Sequence, residues 1–262
     1  MKLSELYAVL NEYAPVSLSD EYCRKFGAYD NSGILLNGGD EIKKVLFSLD
    51  LSSKTLDEAE RIGANAVVTH HPVIYGKIGT VNVTDSQGAN LQRAIRKGVS
   101  VISMHLNMDC AQGGVDEWLM KGVGGKKAEE LCERLSGENC GYGRVYEVPP
   151  SSVFDLTEKI KREFSSERTL CYNGENTARR AASYCGAGAS EAGVEWAKRA
   201  GADVVISSDF KHHIIALALE YGLGVIVLTH YAAETYGFER IFQTIKNKIG
   251  VESAFFRDER LL

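Results

Sequence analysis

The chain has 262 residues, a formal net charge of −5, 44% apolar and 25% charged side chains, the composition of a globular protein with core enough for two ordinary domains or one large α/β domain. The mild acidity argues against a nucleic-acid grip or an anionic membrane surface. Six cysteines without a Cys-x-x-Cys spacing, an amphipathic start in place of a signal peptide, and no apolar run of spanning length point to a reduced, cytoplasmic protein and away from a disulfide scaffold or thiolate zinc site.

Leu3, Leu6, Tyr7 and Leu10 fall at helical spacing, and Pro15 ends that helix. Residues 29–38 read as a loop entering a strand, residues 45–50 as a second strand, and residues 55–62, closed by Gly63, as a helix. The run Ala66-Val67-Val68-Thr69 follows and delivers His70-His71-Pro72. Strand, helix and strand in that order predict a βαβ unit with parallel strands, and imidazoles at the carboxyl edge of its sheet. A polar loop over 75–88 and a helix to Lys97 lead to a strand ending on His105, then to Asp109 and the flexible pair Gly113-Gly114. Short helices are expected around 115–120 and 128–135, and the glycine-rich residues 137–143 mark a candidate boundary between halves. Beyond it come residues 144–148, a helix over 153–164, a strand pair near 169–172 and 181–185, and a helix from Glu191. Gly186-Ala187-Gly188 precedes that helix; such a pair can cradle a phosphate, although close strand–helix packing is its commoner reason. A strand over 225–228 ends in Thr229-His230, a long helix runs to about Lys248, and residues 253–256 return as an edge strand.

The two halves repeat one another. Residues 59–69 align without gaps with 197–207, and 98–102 with 222–226; one residue of slack brings His105-x-x-x-Asp109 onto His230-x-x-x-Glu234. Ser208 and Asp209 stand where the first half has His70 and His71. His70, His71, His105, Asp109, His230 and Glu234 are the donors a divalent Zn, Mn, Fe or Ni ion takes. They are too many for one open ion and about right for two, and ions roughly 3.5 Å apart can activate a water and stabilise developing negative charge. Adjacent histidines on extended backbone point to opposite sides, so unless a turn re-aims them His70 and His71 are expected to serve different ions or to flank one shared site. Lys77 is the cation placed to meet a substrate phosphate; Arg93, His212 and His213 read as surface or packing residues. Neither a P-loop nor a Gly-x-Gly-x-x-Gly fingerprint is present.

Asp30-Asn31-x-Gly33, His70-His71-Pro72, His105-x-Asn107-x-Asp109 with Gly113-Gly114-Val115, Cys185-Gly186-x-Gly188-x-Ser190 and His230-x-x-x-Glu234, in that order, resemble the NIF3-like dinuclear metal-centre proteins, some of which carry the label GTP cyclohydrolase 1 type 2. The resemblance runs nearly end to end. It implies an α/β protein of two related three-layer α/β/α halves with a two-metal site in the cleft between them, and a toroidal hexamer. The halves expected are residues 1–125 plus 235–262, and 126–234; roughly thirty residues between Gly114 and Arg144 leave no room for the inserted domain some members carry. The family's ligands fall on His70, His71, Asp109, His230 and Glu234, with Glu234 as the bridge, and His105 takes an acid/base role. The implied function is a dinuclear metal-dependent hydrolase of a nucleotide-like or heterocyclic small molecule; the alternative is a non-catalytic metal-binding or regulatory ring. Neither a membrane nor a nucleic acid is an expected partner. Ser207-Ser208-Asp209, where Thr-Gly-Glu is commoner, and Ala187, where glycine is common, set the pocket wall of the second half apart.

Overall fold

The computed structural model describes residues 1–261. In chain order the elements are α1 (Leu3–Tyr13), α2 (Val16–Phe26), β1 (Gly33–Leu36), β2 (Lys44–Ser48), α3 (Ser53–Ile62), β3 (Ala66–Thr69), α4 (Ser86–Arg96), β4 (Ser100–Ser103), α5 (Leu106–Cys110), α6 (Val115–Val123) and β5 (Glu130–Arg134). There follow β6 (Gly141–Ser152), α7 (Val153–Phe164), β7 (Leu170–Tyr172), β8 (Thr177–Ser183), α8 (Glu191–Arg199), β9 (Val204–Ser207), α9 (His212–Glu220), β10 (Gly224–Val227), α10 (His230–Ile245) and β11 (Glu252–Phe255). Two compact units result: Met1–Ala111 with Phe238–Asp258, and Gln112–Gly237 with the end of the chain. Among the described residues no helix is long and apolar enough to cross a membrane, and no cysteine pair forms a disulfide.

The sheet of the first unit has the order β1-β4-β3-β2-β11, parallel throughout except for β1. Every residue of β3 and β4 is buried, as their continuous apolar runs require of strands covered on both faces. Leu46, Val67 and Val101 point to one face and form a core with Leu56 and Ala59 of α3 and Ala94 of α4. Phe47, on the opposite pleat, packs its ring 6.0 Å and 4.9 Å from those of Phe238 and Phe242 in α10. This is a three-layer arrangement with the strands' carboxyl ends at one edge. Ser52 caps α3 through the Thr55 amide and Asp85 caps α4 through the Gly88 amide, so α4 starts at Ser86, inside the stretch expected to be loop.

The second unit has the order β5-β6-β8-β9-β10-β7. Its parallel core β8-β9-β10 is flanked by antiparallel β7 on one side and β6 on the other. The repeat in sequence is therefore a repeat in topology: β2, β3 and β4 with antiparallel β1 correspond to β8, β9 and β10 with antiparallel β7.

Three expectations need correction. Residues 128–135 hold a strand, not a helix, because β5 pairs with β6, Leu131 facing Arg144. The glycine-rich residues 137–143 are the turn of that hairpin, with Gly137 at φ +103° and Asn139 at φ +55°, and not a boundary. The strands expected near 169–172 and 181–185 do not pair together: β7 lies on β10, and β8 lies between β6 and β9. By packing, the chain divides at 111/112 and 237/238, and α6 packs on β6 and α7.

Candidate metal centre

β3 delivers His70 and His71 to the carboxyl edge of the first sheet, and β4 delivers His105. His70 is fully buried and its Nδ1 donates to the Met104 carbonyl oxygen at 2.8 Å. His71 Nδ1 donates to Asp50 Oδ1 at 2.7 Å, and His105 Nδ1 to Asp30 Oδ1 at 2.7 Å. A carbonyl or carboxylate oxygen only accepts, so each ring carries its proton on Nδ1 and presents Nε2 as the lone-pair nitrogen. Metal-binding histidines are held in this way, and such partners are worth 10- to 100-fold in metal affinity.

The chain bends after Thr69, where the His71 amide donates to the Leu49 carbonyl oxygen at 3.0 Å. The turn thus re-aims the two imidazoles, the exception the sequence left open: their ring centroids are 5.2 Å apart, and that of His105 lies 5.3 Å and 5.9 Å from them. Asp109, on the short helix α5, is buried with Oδ1 3.4 Å from His70 Nε2. One donor atom each from His70, His105 and Asp109 lies within 4.8 Å of the other two. Asn107 pins α5 by donating to the Ala14 carbonyl oxygen.

Asp30 also accepts from the Ser19 and Ser32 hydroxyls at 2.5 Å and 2.6 Å. Burial alone would raise its pKa; the His105 hydrogen bond and charge, with the two hydroxyls, overcome this and hold it at about 2. For His105 burial works toward a lower pKa, and Asp30 and Asp109 outweigh it, so the imidazole is easier to protonate than a free one. A carboxyl depressed in this way contributes stability that is present above pH ~4 and lost as the pH falls toward 2. In metal-stripped protein Asp30→Asn is expected to lower the unfolding free energy at pH 7 by about 2 kcal/mol and to have a smaller effect at pH 3, as urea titrations at the two pH values will read. Equal losses at both would refute this account of Asp30.

In the second unit the first turn of α10 carries His230 and Glu234. His230 Nδ1 donates to Asp209 Oδ2 at 2.5 Å, and Asp209 sits in the left-handed region at φ +50°. His230 Nε2 lies 2.8 Å from Oε2 of the buried Glu234. Gly186, at φ +53°, packs against Glu234 so closely that a Cβ there would stand 2.3 Å from Oε1. Its loop is fastened by a buried pair: Asp116 accepts from the Cys185 amide at 2.9 Å and from the Gly143 amide at 3.1 Å, and its Oδ2 lies 3.0 Å from Arg144 Nε as an ion pair. Gly188 packs as closely against the Tyr142 ring, so both glycines of the pair serve close packing.

The donor set fits divalent ions. A lone-pair nitrogen and an ionised carboxylate oxygen at 2.8–3.4 Å repel unless a proton or a cation stands between them, and imidazole with carboxylate suits Zn, Mn, Fe or Ni. Lys77 lies exposed in the β3–α4 loop and bonds to none of these donors. Arg93 is taken up by Asp57 and Glu60 on the surface, and His212 and His213 are exposed on α9. Sequence reading missed Asp50, Asp30 and Asp209 as the holders of His71, His105 and His230. The available signal was position, since Asp50 follows the end of β2 by two residues, as His71 follows the end of β3.

The profile of the Duf34/NIF3 (NGG1p interacting factor 3) family matches residues 1–260. A GTP cyclohydrolase 1 type 2 homolog of Clostridium perfringens is 26% identical, covering 97% of this chain and 95% of its own; one of Archaeoglobus fulgidus is 25% identical, covering 97% of each. Among solved structures, a Bacillus cereus protein related to NIF3 superposes with a TM-score of 0.85 at 15% identity, over 99% of this chain and 97% of its own, which supports the fold alone.

Proposed function

The chain belongs to the Duf34/NIF3 family, and we propose that it is a dinuclear divalent-metal hydrolase acting on a nucleotide-like or other heterocyclic small molecule. The residues that would hold the ions are His70, His71 and Asp109 of the first unit and His230 and Glu234 of the second. The observation that carries the reading is that His70, His71, His105 and His230 are all locked with Nδ1 on an oxygen acceptor. The relatives named GTP cyclohydrolase 1 type 2 homolog suggest the substrate class.

Two divalent ions, when bound, supply Lewis acidity and lower the pKa of water. The chain's own residues do the rest. His105 takes up a proton at Nε2 from the attacking water and returns it to the leaving group; Asp30 holds its ring by Nδ1–H and stabilises the imidazolium that forms. Lys77, on its exposed loop, is proposed to meet a phosphate of the incoming substrate. We also propose a homo-oligomer, a toroidal hexamer.

Elemental analysis of purified protein is expected to give two metal equivalents per chain. A His70→Ala, Glu234→Ala double variant is expected to lose them, and Mn-, Zn- or Fe-loaded wild type to turn over a member of a nucleotide and heterocycle panel. A metal-free wild type sinks the metal reading. Two equivalents with no turnover under any metal leave the non-catalytic ring in its place. Light scattering on the same samples will show whether the mass is that of a hexamer.

A further inference from the structure

Beside His71 the first unit has a cavity of about 240 Å³, at the end of β2 and the start of α4, lined by Asp50, His71, Ser86, Gln87 and Asn90 over Leu91. Its hydrogen-bonding character follows from where its side-chain amides are anchored. Gln87 Nε2 donates to the Val73 carbonyl oxygen at 3.0 Å, and Asn90 Nδ2 to the Leu51 carbonyl oxygen at 3.3 Å. Backbone carbonyls only accept, so these bonds fix which end of each amide is nitrogen. The carbonyl ends, Gln87 Oε1 and Asn90 Oδ1, make no hydrogen bond with another described residue. Asp50 adds a carboxylate of which only Oδ1 is engaged, by His71.

Three acceptor groups and little side-chain donor capacity thus share one small space. The opening amides of α4 would favour an anion; Asp85, capping the Gly88 amide, and Asp50 oppose one. About 240 Å³ is below the range of drug-sized pockets and suits a single planar ring whose remainder stays outside.

We propose that this cavity binds a planar nitrogen heterocycle through adjacent N–H donors, the amidine-like edge of a 2-aminopyrimidine or a 2-aminopurine ring, held by Asp50 with Gln87 and Asn90. A carboxylate takes such an edge in a bidentate, specific manner. His71 in the wall sets the ring next to the proposed metal ligands. Its role as the substrate's ring site rests on the metal-centre reading; binding of the ring does not.

The probes are isocytosine, which presents the N–H/NH₂ edge, and uracil, which has the same ring size and no exocyclic amine. Both are titrated against ¹⁵N-labelled protein while the side-chain amides of Gln87 and Asn90 are followed, with metal content measured on the same sample. Isocytosine is expected to bind roughly tenfold tighter than uracil, the factor one well-made hydrogen bond supplies. Gln87→Leu is expected to weaken isocytosine binding several-fold with metal content unchanged. Equal affinity for the two rings, an unchanged affinity in Gln87→Leu, or inorganic phosphate moving these amides in place of isocytosine would each overturn the proposal. Selective binding by a protein that holds no metal keeps the ring site and removes the metal centre; a metal-replete protein without selectivity does the reverse.

Discussion

On the proposed two-ion centre, Gly186→Ala is expected to lower the metal content below two equivalents per chain while leaving the protein folded. The added Cβ would stand 2.3 Å from Glu234 Oε1, closer than carbon and oxygen approach, so one of them must move. The Gly186 carbonyl is held by the Ser208 amide and the Ser207 hydroxyl. The end of a glutamate side chain yields more cheaply than that backbone. The carboxylate is therefore displaced from its place 2.8 Å from His230 Nε2, and affinity at the second unit's donors should fall by about 100-fold, the upper range for disturbing a ligand's surroundings. Alanine at φ +53° adds a backbone cost of about 1 kcal/mol. Gly201→Ala isolates that cost, because Gly201 has φ +75° with nothing near its missing Cβ. Elemental analysis and thermal melts of both variants decide the matter: full metal content in Gly186→Ala would show that the glycine has no part in placing Glu234.

Asp116→Leu is expected to destabilise the fold by about 3–5 kcal/mol, the cost of leaving one member of a buried pair alone. The guanidinium of Arg144 is wholly buried and cannot shed its proton. Arg144→Met leaves a carboxyl that can be neutralised, so it should be milder and depend on pH. Burial already raises Asp116 from 3.8 to about 6, against the pull of Arg144 and the two amides, and removing Arg144 raises it further. A carboxyl raised in the folded state contributes stability that is fully present below pH ~4 and lost as the pH climbs through its folded value. Arg144→Met should accordingly lose more stability between pH 5 and pH 7.5 than wild type does, measured by urea unfolding. A pH-independent loss would contradict this reading of the pair, and the Asp116→Leu, Arg144→Met double variant should recover part of the single loss.

The parts of this fold that could be read from sequence are those with a local signature. Ala66–Thr69 and Val204–Ser207 are short apolar runs after a helix closed by glycine, and both are buried parallel strands. Their repetition foretold the matching topology. Pro15 misled, since a proline that stops one helix can also start the next, and here it is the N-cap of α2. That helix supplies Ser19, the hydroxyl that donates to Asp30. The hairpin at 130–145 was missed because charged, leucine-bearing residues suit a helix until a partner strand claims them. The acceptors behind the histidines lay further out of reach. Asp30 is 75 residues from His105 and Asp50 is 21 from His71, so no spacing rule links them; only the folded sheet brings them together.

The split of the first unit has a consequence for how the protein is made. Phe47 looks toward Phe238 and Phe242, and β2 takes β11 as its outer neighbour, yet those partners lie some two hundred residues downstream. During synthesis the amino-terminal strands emerge with one apolar face bare and one sheet edge open, and they stay so while the whole of Gln112–Gly237 is translated. The second unit, contiguous but for the chain's end, can close as soon as it leaves the ribosome. The first to be synthesised is thus the last to be finished, and the interval in which its open edge can meet another nascent chain is set by the length of the unit inserted within it.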